Sequence, residues 1–466
     1  MIRRLFIYLL LWLPLPAGAR LAEPLHPEHK AQMSVDLAQI RQRGELRVLI
    51  NQSRHSSAEV KGQALGLELQ RLRSFVQFLN RDSQQALRLR LIPKAKEQLV
   101  AALQRGEGDL LAPGELLDIN NGQLLSASRA TVAQVPMVLV TRQGTRRYQR
   151  LEQLAGRNLS LPRGSAAAEA VRQLNQQLGQ RKLAPLLIEW VDSSLAVEDV
   201  LEMVQAGIYP FSVVEQPIAE RWAKVMPRLR VERHLQIGTR RDMHWWVRRD
   251  APMLLAKADA FLRGYVAPGD QDAAFVRLNR RAYRVHYPLA RADRQRLEKL
   301  RAVLQRHAGP SDLDWLSLAA LAFKESSLNP AARGANGATG LMQITRSAAQ
   351  GVGVSNISHL QGNVQAASRY LAMLRRRFFA SRQIAEPERL AFALAAYNMG
   401  PQRVQSLRAE ARRRGLNANQ WFFQVERVAM EQLGLAAVSH VSSVNKYRLA
   451  LVRERYSLET PRSAGQ

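Results

Sequence analysis

The pattern of apolar residues changes character once along this 466-residue chain, and that change limits the fold more than any other feature. From about Gln39 to Pro268, short β-type runs alternate with helix-type stretches. ELRVLIN (45–51), LRLRLIP (87–93), VPMVLVT (135–141), LLIEWVD (186–192) and MHWWVRR (243–249) read as strands, with LGLELQRLRSFVQFLN, KEQLVAALQRGEG and AAEAVRQLNQQLGQ as helices among them. Alternation of this kind predicts an α/β unit with largely parallel sheets. Beyond Pro268 the strand signals fade, and helical patterns run from about Leu289 to Glu459. VAPGDQD opens a polar connection there, as Gly and Pro punctuate such boundaries. The expected layout is an α/β domain over 40–268, a linker over 269–289 and an all-α domain over 290–457. A chain of this length exceeds one core on ordinary size grounds, and its 46% apolar content supplies more than one.

The first residues, MIRRLFIYLLLWLPLPAGAR, join Arg3 and Arg4 to an apolar run from Leu5 to Leu15 and to Ala17-Gly18-Ala19. This predicts a signal peptide over 1–19 and export. A retained anchor is the alternative, for which the run is short and interrupted by Pro14. The chain has no cysteine, which excludes disulfides, thiolate zinc sites and a lipidated N-terminal Cys. Its formal net charge of +29 favours polyanionic partners. No nucleic-acid motif accompanies that charge, and in an exported chain a carboxylate-rich wall polymer or an anionic membrane face fits better.

PSDLDWLSLAALAFKESSLNP reads as a helix with both ends marked, by Ser311 with Asp314 and by Leu328-Asn329-Pro330. Glu325 falls in the last turn, where a carboxylate meets the negative end of the helix dipole, a setting suited to a general acid. A surface glutamate beside Lys324 is the bland alternative. Gly334, Gly337 and Gly340 then shape a tight loop that delivers Leu341-Met342-Gln343 next to the helix end. AFALAAYNMGP (391–401) is a second apolar helix, ending in Tyr397-Asn398. Residues 326–385 contain no Asp or Glu, whereas ordinary glycosidases pair two carboxylates. If the site is active, a single-acid mechanism follows. In the α/β part, Gly164-Ser165 lies between a strand and a helix start, as an anion site or as a plain N-cap.

The ordered motifs ES, GLMQ and AYN, with NVQAASRYLAMLRRRF between them, resemble the soluble-lytic-transglycosylase-like domain of lysozyme type over about 290–457. The resemblance implies cleavage of the β-1,4 bond between N-acetylmuramic acid and N-acetylglucosamine in peptidoglycan. Glu325 would act first as acid, then as base on the muramic C6 hydroxyl, leaving a 1,6-anhydro end, with no metal or cofactor required. It also carries roles to Tyr397, near Glu325 or the acetamido group, to Gln343 on the sugar, and to Asn398 in the AYN turn. Ser326 and Met342 belong to the same substrate-side set, although packing suits both. Two positions depart from the pattern. Gly334 stands where many relatives carry serine, and AAVSHVSSV (436–444) replaces a late ETxxYV-type motif, with His440 where a tyrosine is usual. A weak or inactive wall-binding sensor is therefore an open alternative, and a hydrolytic muramidase another.

IRQRGELRVLIN, LVAALQRGEGDLLA, LEQLAGRNLSLPRGSAAAEAV and VLEMVQAGIYPFSVVEQ follow, in order, the pattern of family-3 extracellular solute-binding proteins. This resemblance covers roughly 40–268 and implies two α/β lobes around a hinged cleft. Ser165 and Glu215 are its ligand candidates, with Glu215 where amino-acid binders hold the ligand ammonium. ELLDINNGQLLSAS (115–128) lacks the arginine that clamps a ligand carboxylate, so a wall peptide or muropeptide is expected rather than a free amino acid. Together the two modules imply a periplasmic enzyme held peripherally at the outer membrane.

Overall fold

The computed structural model describes residues 35–81, 83–119, 124–269 and 271–460, so the expected signal peptide lies outside the described residues. The α/β part is organised by a six-stranded sheet in the order Arg88–Lys94, Glu45–Asn51, Leu110–Leu111, Leu229–Arg248, Leu125–Arg142, Phe211–Glu215. The first three strands are parallel, and the last three pair antiparallel. The sheet is thus mixed, a correction to the largely parallel expectation. Its cause is two long strands, of 18 and 20 residues, whose register is broken by repeated irregularities. Only the apolar segments of these strands announced themselves in sequence. Their polar middle, such as ERHLQIGTRRD, alternates too weakly to read as sheet. A separate parallel pair, Asn158–Leu161 with Leu187–Trp190, completes the second lobe.

The first lobe has its own core, in which Phe75, Trp245 and Phe261 pack with Val48 and Leu254. The second lobe shares one continuous core with the helical part, from Val138 and Trp222 through Phe275 and Tyr283 to Leu318 and Phe323. The segment expected as a polar linker therefore carries a helix, Gln271–Asn279, and buried aromatic side chains. Phe275 and Tyr283 meet Trp222 edge-on, with ring centres 4.7 and 4.6 Å away.

From Arg291 onward the described chain is helical. Trp315–Ser326 is buried continuously from Trp315 to Phe323, which explains why its pattern is apolar all round rather than on one stripe. Leu360–Phe378, Glu386–Met399 and Leu435–Arg453 belong to the same core. Among the described residues, no helix is long and apolar enough to cross a membrane.

Candidate active site at the end of a buried helix

The helix Trp315–Ser326 starts on Asp314, whose side chain accepts from Leu316 N at 3.1 Å. Ser311 lies in a preceding 3₁₀ turn and is not the cap. At the other end, Ser327 and Leu328 take left-handed conformations, φ 52° and 62°, and turn the chain sharply away. Ser326 fastens that end to the glycine loop: its hydroxyl donates to Leu341 O at 2.8 Å and accepts from Asn329 N at 3.1 Å.

The loop is held from several directions. Gly340 has φ 76°, and a side chain there would meet the Asn363 amide, with a Cβ only 2.4 Å from its Nδ2. That close approach lets Asn363 accept from Met342 N and donate to Thr339 O, both at 2.9 Å. Gln343 turns its amide inward, donating to Gly340 O at 2.8 Å and Ala332 O at 3.2 Å. Gly334 makes room for this: a Cβ there would fall 2.1 Å from Gln343 Oε1. Tyr397, from Glu386–Met399, donates its hydroxyl to Met342 O at 2.7 Å. Its phenol is raised well above the usual value, first by burial and then by the nearby charge of Glu325.

These contacts sort the candidate residues. Glu325 and Tyr397 are brought together beside the loop, while Ser326 and Gln343 spend their polar groups in framing it. Met342 is wholly buried, which places its side chain in the core rather than toward an open cleft. Asn398 is exposed next to Tyr397.

The side chain that meets the Glu325 carboxyl group is not that of its neighbour Lys324. Leu435–Arg453 packs along the Glu325 helix and places His440 Nε2 2.8 Å from Glu325 Oε1. The His440 side chain is 9% exposed and that of Glu325 18%. Sequence reading marked His440 only as a departure. The usable signal was a lone His and a lone Lys among the small and apolar residues of VSHVSSVNKY, since buried polar side chains require partners.

Lys446, on the same helix, meets Asp199 at 2.8 Å and also pairs with Glu202, both on Val197–Ala206 of the α/β part. Arg54 of the first lobe joins Asp199 at 2.9 Å and Glu426 at 2.7 Å, and its backbone N–H donates to Glu198 at 2.7 Å. Burial opposes the charge on Asp199, yet Arg54 and Lys446 hold it well below the usual carboxylate range. Glu198 is pushed up by burial to about 7.

The cleft between the lobes holds a cation of its own. Lys96 Nζ lies 2.7 Å from Glu115 Oε2 and 3.9 Å from Glu215 Oε1, and Glu115 also accepts from Asn51 at 2.7 Å. Glu215 further accepts from Leu116 N at 2.9 Å. Ser165 lines the same cavity, and its hydroxyl accepts from Ala167 N at 3.3 Å, just ahead of the helix Ala167–Gln180. Phe423, from the helical part, forms another piece of the wall. The remaining cavity is small, about 60 Å³.

Residues 304–420 match the family model described as "Transglycosylase SLT domain". That stretch is similar to the transglycosylase SLT family. The chain is similar along most of its length to proteins named membrane-bound lytic murein transglycosylase F. The one from Ectopseudomonas mendocina is 28% identical over 390 residues, covering 83% of this chain and 77% of that one. The one from Sodalis glossinidius is 28% identical over 457 residues, covering 92% of each. Among solved structures, an ancestral arginine-binding protein bound to arginine aligns with a TM-score of 0.41 at 17% identity, covering 50% of this chain and 98% of that one. Arginine-bound ArgBP from T. maritima, a Gly52Ala mutant, aligns at 0.40 and 14%, covering 48% and 98%. The SLT match contains Glu325, Gln343 and Tyr397 and ends before His440.

Proposed function

We propose that Glu325 is the single acid and base of a peptidoglycan lytic transglycosylase. The chain is similar along most of its length to lytic murein transglycosylases, and the reading of its site is carried by one observation. Glu325 stands at the end of a buried helix with a histidine as its hydrogen-bond partner, and the segments that frame it, 326–385, 391–401 and 435–445, contain no second carboxylate. A hydrolase of the usual kind needs that second group, as nucleophile or as base for water. With one carboxylate, the proton goes from Glu325 to the glycosidic oxygen as the C1–O bond breaks. Glu325 then takes the proton of the muramic C6 hydroxyl while O6 closes on C1, so that no water is consumed. Tyr397 and the loop it holds present the glycan, with Gln343 keeping the loop closed and Asn398 exposed on the substrate side.

The test is mass spectrometry of murein sacculi digested with the wild-type chain and with Glu325→Gln. Products lighter than reducing muropeptides by one water, absent with the variant, are expected. Reducing ends would establish a hydrolase, and no product from either protein would favour a wall-binding role.

The cleft between the lobes is the place for a wall-peptide ligand. Its ammonium group would take the seat of Lys96 between Glu115 and Glu215, after the lobes open. Calorimetry with purified muropeptides, and with Glu215→Gln as control, tests this. The same reading places the chain in the periplasm, in peripheral contact with the outer membrane, where its positive charge meets anionic wall and lipid groups.

A further inference from the structure

Glu325 has two oxygens, and among the described residues a side chain holds only one of them. His440 Nε2 contacts Oε1 at 2.8 Å, whereas His440 Nδ1 is buried without a hydrogen-bond partner among the described residues. That asymmetry selects the state of the ring. A proton on Nδ1 would be a buried donor with nothing to receive it, and in the neutral ring it would also set the Nε2 lone pair against a carboxylate oxygen. A proton on Nε2 leaves only an unfilled acceptor at Nδ1, the cheaper omission. Nε2 is therefore the donor to Oε1.

We propose that His440 is a positioning residue that fixes the carboxyl group of Glu325 and assigns Oε2 as the oxygen that exchanges protons with the glycan. This rests on the reading of Glu325 as the acid. In the first step the proton on Oε2 moves to the glycosidic oxygen, which keeps the bonding pair from C1, and the new carboxylate is held through Oε1 by the Nε2 proton. In the second, Oε2 takes the proton of the C6 hydroxyl as O6 bonds to C1. His440 gives up no proton in either step. The backbone that carries it is a 19-residue helix, Leu435–Arg453, anchored further along by Lys446 in its buried ion pairs, so the donor does not drift between steps.

The experiment compares wild type, Glu325→Gln, His440→Leu and His440→Gln on soluble uncrosslinked glycan strands, with kcat and KM measured separately and folding checked by thermal melts. Glutamine sets an amide N–H as many bonds from Cβ as the Nε2 proton of histidine. His440→Leu should lose about 10- to 100-fold in kcat with KM nearly unchanged, the scale of a misplaced catalytic group, and His440→Gln should recover most of it. Retention of kcat by the folded leucine variant, or equal loss in both folded variants, would overturn the proposal. If wild type forms no anhydro ends, or Glu325→Gln is as active as wild type, the reading of Glu325 itself fails. Crystal structures of the variants then decide about His440: a Glu325 carboxyl that swings away with leucine and returns with glutamine supports the positioning contact, and one that stays in place in both refutes it.

Discussion

Replacing Lys446 by methionine isolates the contact that ties the catalytic helices to the α/β part. Its side chain is 3% exposed and lies between Asp199 and Glu202, which are 1% and 0% exposed. The cluster sets four carboxylates, Glu198, Asp199, Glu202 and Glu426, against two cations, Arg54 and Lys446. Methionine fills a similar volume but leaves Arg54 alone with all four. Breaking one side of a buried pair costs about 3–5 kcal/mol. Glu198 titrates at about 7 and can take up a proton to offset part of that, so the lower end, about 3 kcal/mol at neutral pH, is expected. The deficit should shrink at pH 6, where Glu198 is protonated, and grow at pH 8. Adding Glu202→Gln removes one stranded charge and keeps an oxygen to accept from Val285 N, which now lies 2.7 Å from Glu202 Oε1. That double variant should regain about half of the loss. Urea unfolding followed by tryptophan fluorescence measures the total. Amide exchange in Val197–Ala206 locates it, since a chain of this size need not unfold in two states. A Lys446→Met protein within about 1 kcal/mol of wild type, or one that Glu202→Gln does not help, would refute the reasoning, because it would mean that the cluster is solvated at little cost.

Two further substitutions test the frame around the site. Burial pushes Glu388 up to about 7, against the pull of the Trp421 and Phe422 N–H groups that it accepts at 2.6 and 3.3 Å. The folded value lies above the unfolded one near 4.5. The folded chain thus keeps a proton that the unfolded chain releases, and stability falls as pH rises through this window, by at most about 3 kcal/mol. Thermal melts at pH 5 and pH 7.5 should show this slope in wild type and a flatter one in Glu388→Gln. Asn363→Ala strands the buried Met342 N–H and the Thr339 carbonyl, at a cost of about 2–3 kcal/mol. It should lower both the melting temperature and the rate of anhydro-muropeptide release, read in the same sacculus digests.

The helical half was legible because its motifs are local. Glu325, the glycine loop and Tyr397 each sit in a short segment whose end signals fix their position, and the structure brings those ends together. The mixed sheet was not legible, because strand pairing joins residues about a hundred positions apart, and two of its strands are too polar in their middles to show alternation. The connector read as polar from VAPGDQD, although the Phe275 and Tyr283 that follow make it part of the core. His440 escaped for a similar reason. Its meaning lies in a contact with a residue 115 positions earlier, and no spacing along the chain announces such a contact. Lys96 was missed as the cleft's own cation, since a lone lysine between a strand and a helix looks like ordinary surface.

The helix Leu435–Arg453 lies wholly beyond the 304–420 stretch that carries the family match. A fragment trimmed to that stretch would keep the acid and the loop yet discard the imidazole that touches the acid, and would bare the apolar flank of Trp315–Ser326 to water. On the role proposed for His440, the smallest piece of this chain able to cut glycan is set by a contact rather than by a sequence signature, and reaches past residue 440.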